Sequence, residues 1–375
     1  MAFNKQYPLK PLELLFKRFS LFVGQYYFDV PSQLTSTIDP VSVKRVLLLR
    51  YDKLGDIVVS LPMIEALRDS YPEIEIDVLA SPRNERIIRD DPRISNLYLF
   101  TKNVFKDFVT ILRMRKRKYD VVISMISLSS ATSLHLSQLI GKGSIRIGLG
   151  QANHSKFYHY YLPIDHSLKE HMLVQTLRTL APFGIDTNSV SLFASIHISC
   201  ENERFADETL AEWRAQVESG RECIGVNISA GMSNRIWAED HYAELISSLS
   251  KEYPTKLLAI FFAPSDREKA IRIQRRSGGH AALLPPGLDI MKVAALTKRL
   301  VLLITPDTSM THIARSFQVP VIGLYSNHQQ NTDEWRPYGQ NFGLVQANAK
   351  DDIFDITVGQ VVAEVKIAFG EATHV

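Results

Sequence analysis

Short apolar runs alternate with helical patterns from about residue 43 onward, and this alternation constrains the fold of the chain more than any other feature. Four of the predicted strands span residues 46–49, 121–125, 256–261 and 300–305. Apolar runs of this length are typical of strands that are covered on both faces. Strands that alternate with helices favour a mostly parallel sheet. The sequence therefore predicts an α/β protein.

Length and composition narrow the class further. A chain of 375 residues suggests two domains at roughly 150 residues each. A net charge of +3, from 43 basic and 40 acidic residues, argues against a general nucleic-acid binder. Cys200 and Cys223 form neither a metal-ligand spacing nor a disulfide framework, which fits a reducing cytoplasm. We find no signal-peptide pattern and no uncharged stretch of membrane-spanning length.

Residues 1–40 precede the first predicted strand and carry an amphipathic helical pattern. Lys17 and Arg18 stand beside an apolar stripe at helical spacing, which consists of Leu12, Leu15, Phe16, Phe19, Phe22 and Val23. Such a helix either lies at a membrane surface with its apolar face buried or packs on the protein itself. Both alternatives stay open, and we predict the membrane contact. We place the next boundary near residue 195, which gives domains 41–195 and 196–375.

The turn after the first strand carries a candidate acid–base residue. Residues 50–62 begin with Arg50, continue through Gly55 and Asp56, and lead into a helical pattern. In an open parallel sheet this turn lies at the carboxyl edge, where ligands bind. The glycine permits close backbone approach, and Asp56 places a carboxylate at the mouth of a cleft. The alternative for Asp56 is a helix cap, which is a common use of Asp.

Two later segments have the composition of phosphate-binding loops. After the apolar run that ends at residue 305, a helix begins with hydroxyl groups at Thr308, Ser309 and Thr311. Such a helix N-terminus favours phosphate through unpaired N–H groups and the helix dipole. Residues 224–237 predict a strand, a loop of small residues and then Arg235, which can pair with a diphosphate.

Together these segments resemble the sequence pattern of glycosyltransferase family 9, the lipopolysaccharide heptosyltransferases. Residues 50–62 match its basic residue, Leu/Met-Gly-Asp turn and Leu-Pro. Residues 229–237 match its phosphate loop, which ends in a basic residue before Trp. Residues 307–312 match Asp-Thr-Gly-x-x-His, with Ser309 in place of the Gly. Ala238 also replaces the usual Pro after the Trp, so the donor sugar is the least defined part of the resemblance.

The resemblance implies a fold and an activity. The expected architecture is GT-B, in which two Rossmann-like domains face each other across a cleft. The acceptor binds the first domain and the sugar nucleotide the second. The expected reaction is an inverting transfer of heptose from ADP-heptose to a lipid-linked oligosaccharide, with neither a metal nor a cofactor. Such an enzyme works in the cytoplasm, at the cytoplasmic face of the inner membrane.

Individual residues receive roles from the same resemblance. Asp56 matches the general base, and Arg50 and Lys53 lie on the acceptor side. Arg235 matches the basic partner of the diphosphate. The remaining donor-binding candidates are Ser229, Asp266, Gly287, Asp307, Thr308, Ser309, Met310 and Thr311.

Two of these donor-side candidates have structural alternatives. Asp266 would hold the adenosine ribose or cap a helix. The backbone of Gly287 would meet the adenine or form a turn, and we favour the turn.

Further polar groups are open to more than one interpretation. The basic helix over 102–118 suits lipid phosphates or sugar carboxylates, or is a solvated face. The separations among His154, His159, His166 and His171 differ from the i, i+4 spacing of metal-binding pairs on a helix, so we predict no metal site there. We expect His312 to be structural.

Two other functions remain as alternatives on the same architecture. One is a sugar-nucleotide 2-epimerase, and the other is a non-catalytic relative that binds a sugar nucleotide. Neither half carries Gly-x-Gly-x-x-Gly after its first strand, and the chain has no Gly-Lys-Ser/Thr loop. Their absence counts against a dinucleotide-dependent enzyme and against an ordinary ATPase.

Overall fold

The computed structural model describes residues 32–34, 36–126, 131–150, 152–217, 222–339, 341–349 and 351–371. The amphipathic pattern predicted within residues 1–31 lies outside these ranges. The described chain forms two six-stranded sheets, and every neighbouring pair of strands in both sheets is parallel.

The first sheet has the strand order β3-β2-β1-β4-β5-β6. Its strands are β1 (Arg45–Leu49), β2 (Glu75–Ala80), β3 (Asn96–Leu99), β4 (Val121–Ser124), β5 (Ile145–Gly150) and β6 (Tyr160–Pro163). The second sheet has the order β12-β11-β10-β7-β8-β9. Its strands are β7 (Cys223–Asn227), β8 (Leu257–Phe261), β9 (Ala281–Leu283), β10 (Leu300–Pro306), β11 (Val321–Tyr325) and β12 (Phe342–Gln346).

Both sheets repeat one topology. When the strands of each sheet are counted in chain order, the spatial order is 3-2-1-4-5-6 in both cases, which is the order of a Rossmann fold. The order reverses beside the first strand, between β1 and β4 and between β7 and β10. Ligands of such sheets bind in the crevice at this reversal point. The three sequence motifs follow β1, β7 and β10, so all three begin at a reversal point.

Helices connect the strands and cover both sheets. The first half contains α1 (Leu54–Val58), α2 (Leu61–Ser70), α3 (Val104–Arg117), α4 (Ala131–Ile140) and α5 (Met172–Arg178). The helix α6 (Cys200–Val217) lies between the two sheets in the chain. The remaining helices are α7 (Glu239–Glu252), α8 (Arg267–Arg276), α9 (Ile290–Thr297), α10 (Ser309–Ser316), α11 (Gln329–Trp335) and α12 (Val358–Ala368).

The apolar runs are buried on both faces, as the sequence predicts. On β1, Val46 and Leu48 join one apolar cluster, and Leu47 and Leu49 join another on the opposite face. Successive side chains on a strand point to opposite faces, so helices must cover both sides of this strand. No helix within the described ranges is both long enough and apolar enough to cross a membrane.

The structure corrects several predicted elements. The sequence also has a helical pattern over 83–90, but the structure forms only a 3-10 turn there, at Glu85–Ile87. The sequence allows the final helix to pack back across the domain boundary, but this helix packs on the second sheet through Val358, Val361 and Val365. Strands β6 and β12 were not predicted. Both lie at sheet edges and are only partly buried, so neither shows the continuous apolar run of a central strand.

Candidate functional site

The turn after β1 is organised around Asp56. This residue lies in the first turn of α1, and the Lys53 N–H donates to Asp56 Oδ2 at 3.1 Å. Asp56 therefore does help to cap the helix, as the structural alternative predicts. Its second carboxylate oxygen, Oδ1, lies 3.8 Å from Arg50 Nη2. Capping occupies one oxygen and leaves the other beside a cation, so the cap does not exclude a role as a base.

Arg50 holds this turn in place from inside the protein. Its side chain is fully buried, and Nε donates to Asp56 O and to Ser60 Oγ, each at 3.0 Å. Nη1 donates to the Met125 carbonyl at the end of the neighbouring strand β4. A guanidinium with these bonds positions the turn that carries Asp56. The burial argues against the predicted direct contact between Arg50 and the acceptor.

A second carboxylate, Asp52, shares Arg50 with Asp56. Arg50 Nη1 donates to Asp52 Oδ2 at 3.1 Å. Burial raises the pKa of Asp52 to about 7, attraction to Arg50 opposes this rise, and repulsion from Asp56 adds to it. Two carboxylates beside one cation do not ionise independently. Asp52 was not among the residues predicted for the site, although its position two residues after Arg50 is visible in the sequence.

The Gly55–Asp56 turn touches the second half of the molecule. A Cβ atom added at Gly55 would lie 3.0 Å from His312 Cδ2 and 3.8 Å from Ser309 Cα. Gly55 therefore permits the first turn of α10 to approach the first turn of α1. His312 is buried, and burial lowers its pKa to about 3. Its ring stacks on Tyr338 with the ring planes at 14°, which agrees with the structural role expected for it.

Arg235, Asp307 and Asn331 form a closed polar cluster on the donor side. Arg235 Nη1 lies 2.8 Å from Asp307 Oδ2, and Nη2 donates to Asn331 Oδ1 at 3.3 Å. Asn331, on α11, donates in turn to Asp307 Oδ2 at 2.8 Å. Burial raises the pKa of Asp307, whereas Arg235, Asn331 and the more distant Lys53 lower it. Lys53 thus acts electrostatically on the donor side, across from its own turn. The sequence did not single out Asn331.

The start of α10 offers fewer free donors than the sequence predicts. Thr308 caps the helix, because its Oγ1 accepts from the Met310 N–H at 3.3 Å. The Thr311 N–H donates to the Thr308 carbonyl at 3.2 Å, and the Thr311 side chain is buried. These bonds argue against phosphate binding by the Met310 and Thr311 N–H groups. Ser309, at the first helical position and half-buried, remains the best placed donor.

A buried amide fixes the two predicted phosphate loops to each other. Asn227, the last residue of β7, donates through Nδ2 to Thr305 Oγ1 at 2.9 Å and to Thr308 Oγ1 at 3.3 Å. Its Oδ1 accepts from the Ser229 N–H at 3.2 Å. Asn227 therefore joins the loop after β7 to the cap of α10. Sequence reasoning did not assign it a role, since its two threonine partners lie 78 and 81 residues away.

Beside these loops lies a cavity of about 510 Å³. Its lining includes the polar residues Ser229, Asp266 and Ser309, together with Gly287, whose φ is 74°. The apolar lining is formed by Phe261, Phe262, Leu284, Leu288, Ile290 and Val293. A mostly apolar cavity with a few polar groups is typical of a small-molecule site. The left-handed backbone at Gly287 agrees with the turn that we favoured.

Asp266 points into this cavity and does not cap a helix. It is the residue before α8, but its side chain makes no capping hydrogen bond. Instead it accepts from Ser229 Oγ, which also accepts from the Ala263 N–H at 2.7 Å. The capping alternative for Asp266 is therefore wrong. The geometry leaves its carboxylate at the cavity, where a ribose hydroxyl could donate to it.

The model of glycosyltransferase family 9, described as heptosyltransferase, matches residues 110–353. That range covers more than half of the chain and includes both phosphate loops. The chain belongs to glycosyltransferase family 9. It is therefore a glycosyltransferase with two parallel-sheet domains of the GT-B type. The Asp56 turn precedes the matched range, so its role does not follow from this match.

Curated relatives of this glycosyltransferase are distant but span most of its length. It is 20% identical over 292 residues to the lipopolysaccharide core heptosyltransferase OpsX of Haemophilus influenzae, which covers 76% of this chain and 80% of the relative. It is 22% identical over 303 residues to lipopolysaccharide heptosyltransferase 3 of Escherichia coli, which covers 76% of this chain and 83% of the relative.

Solved structures of the family share the fold. A family 9 glycosyltransferase from Veillonella parvula matches with a TM-score of 0.74 and 19% identity, over 88% of this chain and 98% of that one. ADP-heptose lipopolysaccharide heptosyltransferase II of E. coli matches with a TM-score of 0.69 and 18% identity, over 88% of this chain and 100% of that one. A UDP-GlcNAc 2-epimerase from Methanocaldococcus jannaschii matches with a lower TM-score of 0.52 and 14% identity, over 88% of this chain and 94% of that one. At these low identities, the structural similarities establish the fold only.

Two of the four histidines that were considered as metal ligands, His166 and His171, bond to other protein groups. His166 Nδ1 contacts the Glu334 carboxylate, and His171 Nε2 lies 2.9 Å from the Arg336 carbonyl. His171 lies at the N-cap of α5, where its Nδ1 accepts from the Leu173 N–H. Both bonds join the first half of the chain to the segment around α11. Over the residues that the structure describes, no three His, Cys, Asp or Glu side chains form a metal-binding group.

Proposed function

We propose that this glycosyltransferase transfers heptose from ADP-heptose to a lipopolysaccharide core acceptor, with inversion and without a divalent metal. The supporting observation is the contact between the two proposed half-sites. Gly55, next to Asp56, packs against the first turn of α10, which lines the donor cavity. A base on one domain and a sugar nucleotide on the other would thus meet at one point. The names of the relatives support heptose as the sugar.

The proposed reaction is a single displacement. The acceptor hydroxyl attacks the anomeric carbon, the bond from this carbon to the diphosphate oxygen breaks, and the hydroxyl proton moves to Asp56. Attack from the face opposite the leaving group gives inversion. The departing diphosphate gains negative charge, which Arg235 and the start of α10 would stabilise.

The donor would occupy the cavity in a defined direction. The adenine would lie against the apolar lining near Leu288 and Gly287, and the ribose would bond to Asp266. The diphosphate would lie near Arg235 and Ser309, with Thr308 fixing the loop. Asp307 would contact the sugar, as the family resemblance implies. Lys53, which is exposed on the acceptor-side turn, would face the acidic groups of the acceptor.

We further propose that the acceptor is lipid-linked and that the enzyme works at the cytoplasmic face of the inner membrane. The family relatives act on lipopolysaccharide according to their names. The amphipathic pattern in residues 1–40 supports a peripheral contact. The 2-epimerase alternative is not favoured, since the epimerase likeness is weaker than the heptosyltransferase likeness.

A mass-spectrometric transfer assay tests this function. Purified protein is incubated with ADP-heptose, GDP-sugars or UDP-sugars and with truncated core acceptors, with and without EDTA. We expect a mass increase of one heptose only with ADP-heptose, and equal rates in both buffers. Conversion of a sugar nucleotide without any acceptor would support the epimerase alternative. A strict requirement for a divalent ion would contradict the proposed leaving-group stabilisation.

A further inference from the structure

Helix α3 (Val104–Arg117) exposes an apolar surface that the proposed function does not use. Of the eleven large apolar side chains that are exposed among the described residues, five lie on this helix: Val104, Phe105, Phe108, Val109 and Leu112. Phe105 is 85% and Phe108 60% exposed. At 100° per residue these five share one side of the helix. We call them the α3 stripe.

The opposite side of α3 accounts for its packing. Asp107 and Met114 are buried, and Ile111 packs on the apolar cluster formed by β1, β2, β4 and α4. The helix is therefore anchored to the first sheet without help from the α3 stripe. A contiguous exposed apolar surface of this kind marks an interaction site.

The exposed charges on α3 and at its two ends, over residues 102–118, all have one sign. Exposed basic residues precede, flank and follow the stripe, namely Lys102, Lys106, Arg113, Arg115, Lys116 and Lys118. The single acid of the helix, Asp107, is buried and accepts from the Thr101 N–H and hydroxyl at 2.8 and 2.9 Å. Arg117 is already paired with Glu75 and Asp77. The exposed face thus presents aromatic and aliphatic groups within a ring of positive charge.

The α3 stripe lies at the functional edge of the first sheet. Helix α3 begins just after β3 ends at Leu99, and the strands of a parallel sheet end at one common edge. Phe100, at this end of β3, packs on Tyr51 with ring centroids 4.8 Å apart. Tyr51 precedes Asp52 in the turn that carries Asp56. A surface that covered α3 would therefore lie beside the proposed acceptor site.

We propose that α3 docks on an anionic lipid bilayer, with Phe105 and Phe108 inserted at the headgroup boundary and the basic residues on the anionic headgroups. Amphipathic helices with a basic border bind membranes in this way. A second copy of this face, or the net-positive segment 1–31, would bring like charges together. The inference rests on the proposed function only in its purpose, which is to bring the enzyme to a lipid-linked acceptor.

Vesicle sedimentation of the full chain, without donor or acceptor, tests the docking. We expect binding to vesicles that contain phosphatidylglycerol, weak binding to pure phosphatidylcholine, and release by salt. The double variant Phe105→Ser with Phe108→Ser should lose about tenfold or more in affinity, because two aromatic side chains no longer leave water. The matched control is Phe354→Ser, in the second half, whose Phe is 61% exposed; it should bind like wild type. Wild-type affinity in the double variant would overturn the proposal.

Fluorescence of Phe105→Trp in the full chain identifies the inserted element. The natural Trp213 and Trp237 are buried and Trp335 is partly buried, so the new residue dominates any change on binding. We expect a blue shift and quenching by brominated lipid. Vesicle binding without either signal would show that another segment binds, which contradicts the inference. The inference would also be contradicted if the wild-type protein were a dimer that did not bind vesicles and the Phe105/Phe108 double variant were a monomer. That result would identify a second copy of the chain as the partner of the α3 stripe.

Charge reversal and activity complete the test. Arg113→Glu with Lys116→Glu should lower binding to anionic vesicles by about tenfold, since each basic residue contributes near a charged surface. The Phe105/Phe108 double variant should transfer sugar to a delipidated acceptor at the wild-type rate. Absence of transfer with every donor would refute the proposed function and leave the vesicle result intact. Normal transfer without vesicle binding would refute the docking alone.

Discussion

The carboxyl edges of the two sheets share a topology but are built differently. After β1, the edge carries a compact charged turn in which Arg50 pairs with both Asp52 and Asp56 and bonds to the backbone. After β7 and β10, the edge carries hydroxyl and amide groups around an open cavity. The first edge is suited to hold one reactive group in place. The second is suited to receive a large ligand. Substitutions at the two edges should therefore impair the enzyme differently, the first in turnover and the second in both donor affinity and turnover.

The largest effect is expected at Asp56. Asp56→Asn should lower transfer by about a hundredfold or more, because the acceptor hydroxyl loses its base. Donor affinity should stay near the wild-type value, since Asp56 lies on the turn outside the donor cavity. Steady-state kinetics and calorimetric titration with ADP measure the two quantities separately. Retention of more than about a tenth of the wild-type rate would exclude general-base catalysis by this residue.

Arg235→Ala should impair both binding and turnover on the other side. A charge-assisted hydrogen bond contributes about 1.5–3 kcal/mol, so ADP affinity should fall by about tenfold or more. The loss also leaves Asp307 without its cation, and its carboxylate would then repel the diphosphate. Arg272→Ala is the control, because Arg272 is exposed and pairs only with Glu239 among the described residues. Unchanged ADP affinity together with normal turnover would refute the role of Arg235.

The contact between the two edges can be tested with a methyl group. Gly55→Ala would place a Cβ 3.0 Å from His312, so α1 and α10 must separate slightly. We expect a several-fold loss of activity and a lower melting temperature. Gly359→Ala, in α12, meets no atom within 4 Å and should instead stabilise the protein by up to about 1 kcal/mol. Thermal melts and transfer rates of both variants decide this, and equal behaviour would show that the Gly55 contact is unimportant.

The smallest expected effect is a pH dependence of stability at Asp52. Burial raises the pKa of Asp52 from 3.8 to about 7, so the folded protein holds this proton more tightly than the unfolded chain. The contribution of this residue to stability is therefore present at low pH and is lost as the pH rises from about 4 to 7. Asp52→Asn removes this dependence. Its melting temperature should match wild type near pH 4 and exceed it by a few degrees above about pH 7. If the melting temperatures of Asp52→Asn and wild type differed by the same amount at every pH from about 4 to 7, this prediction would be wrong.

The sequence predicted the central elements well because their signals are local. Apolar runs such as 46–49 identified buried strands, and the motifs after β1, β7 and β10 pointed to the correct edge. The hydrogen-bond partners were beyond its reach. Asn331 meets Arg235 from 96 residues away, and Thr308 uses its own hydroxyl and carbonyl on N–H groups that the motif suggested were free. Side-chain bonding between distant segments depends on packing, which no short pattern records.

The carboxylate of Asp307 acts as a substitute anion for Arg235. It pairs with the guanidinium at 2.8 Å, and a tethered group of this kind would compete at a high effective concentration with any anion that approaches Arg235. A singly charged ion such as chloride carries no more negative charge than the Asp307 carboxylate that already pairs with Arg235. A diphosphate carries more charge and, in the proposed binding mode, would also contact Ser309. This competition would favour a diphosphate over the simple anions of the surroundings.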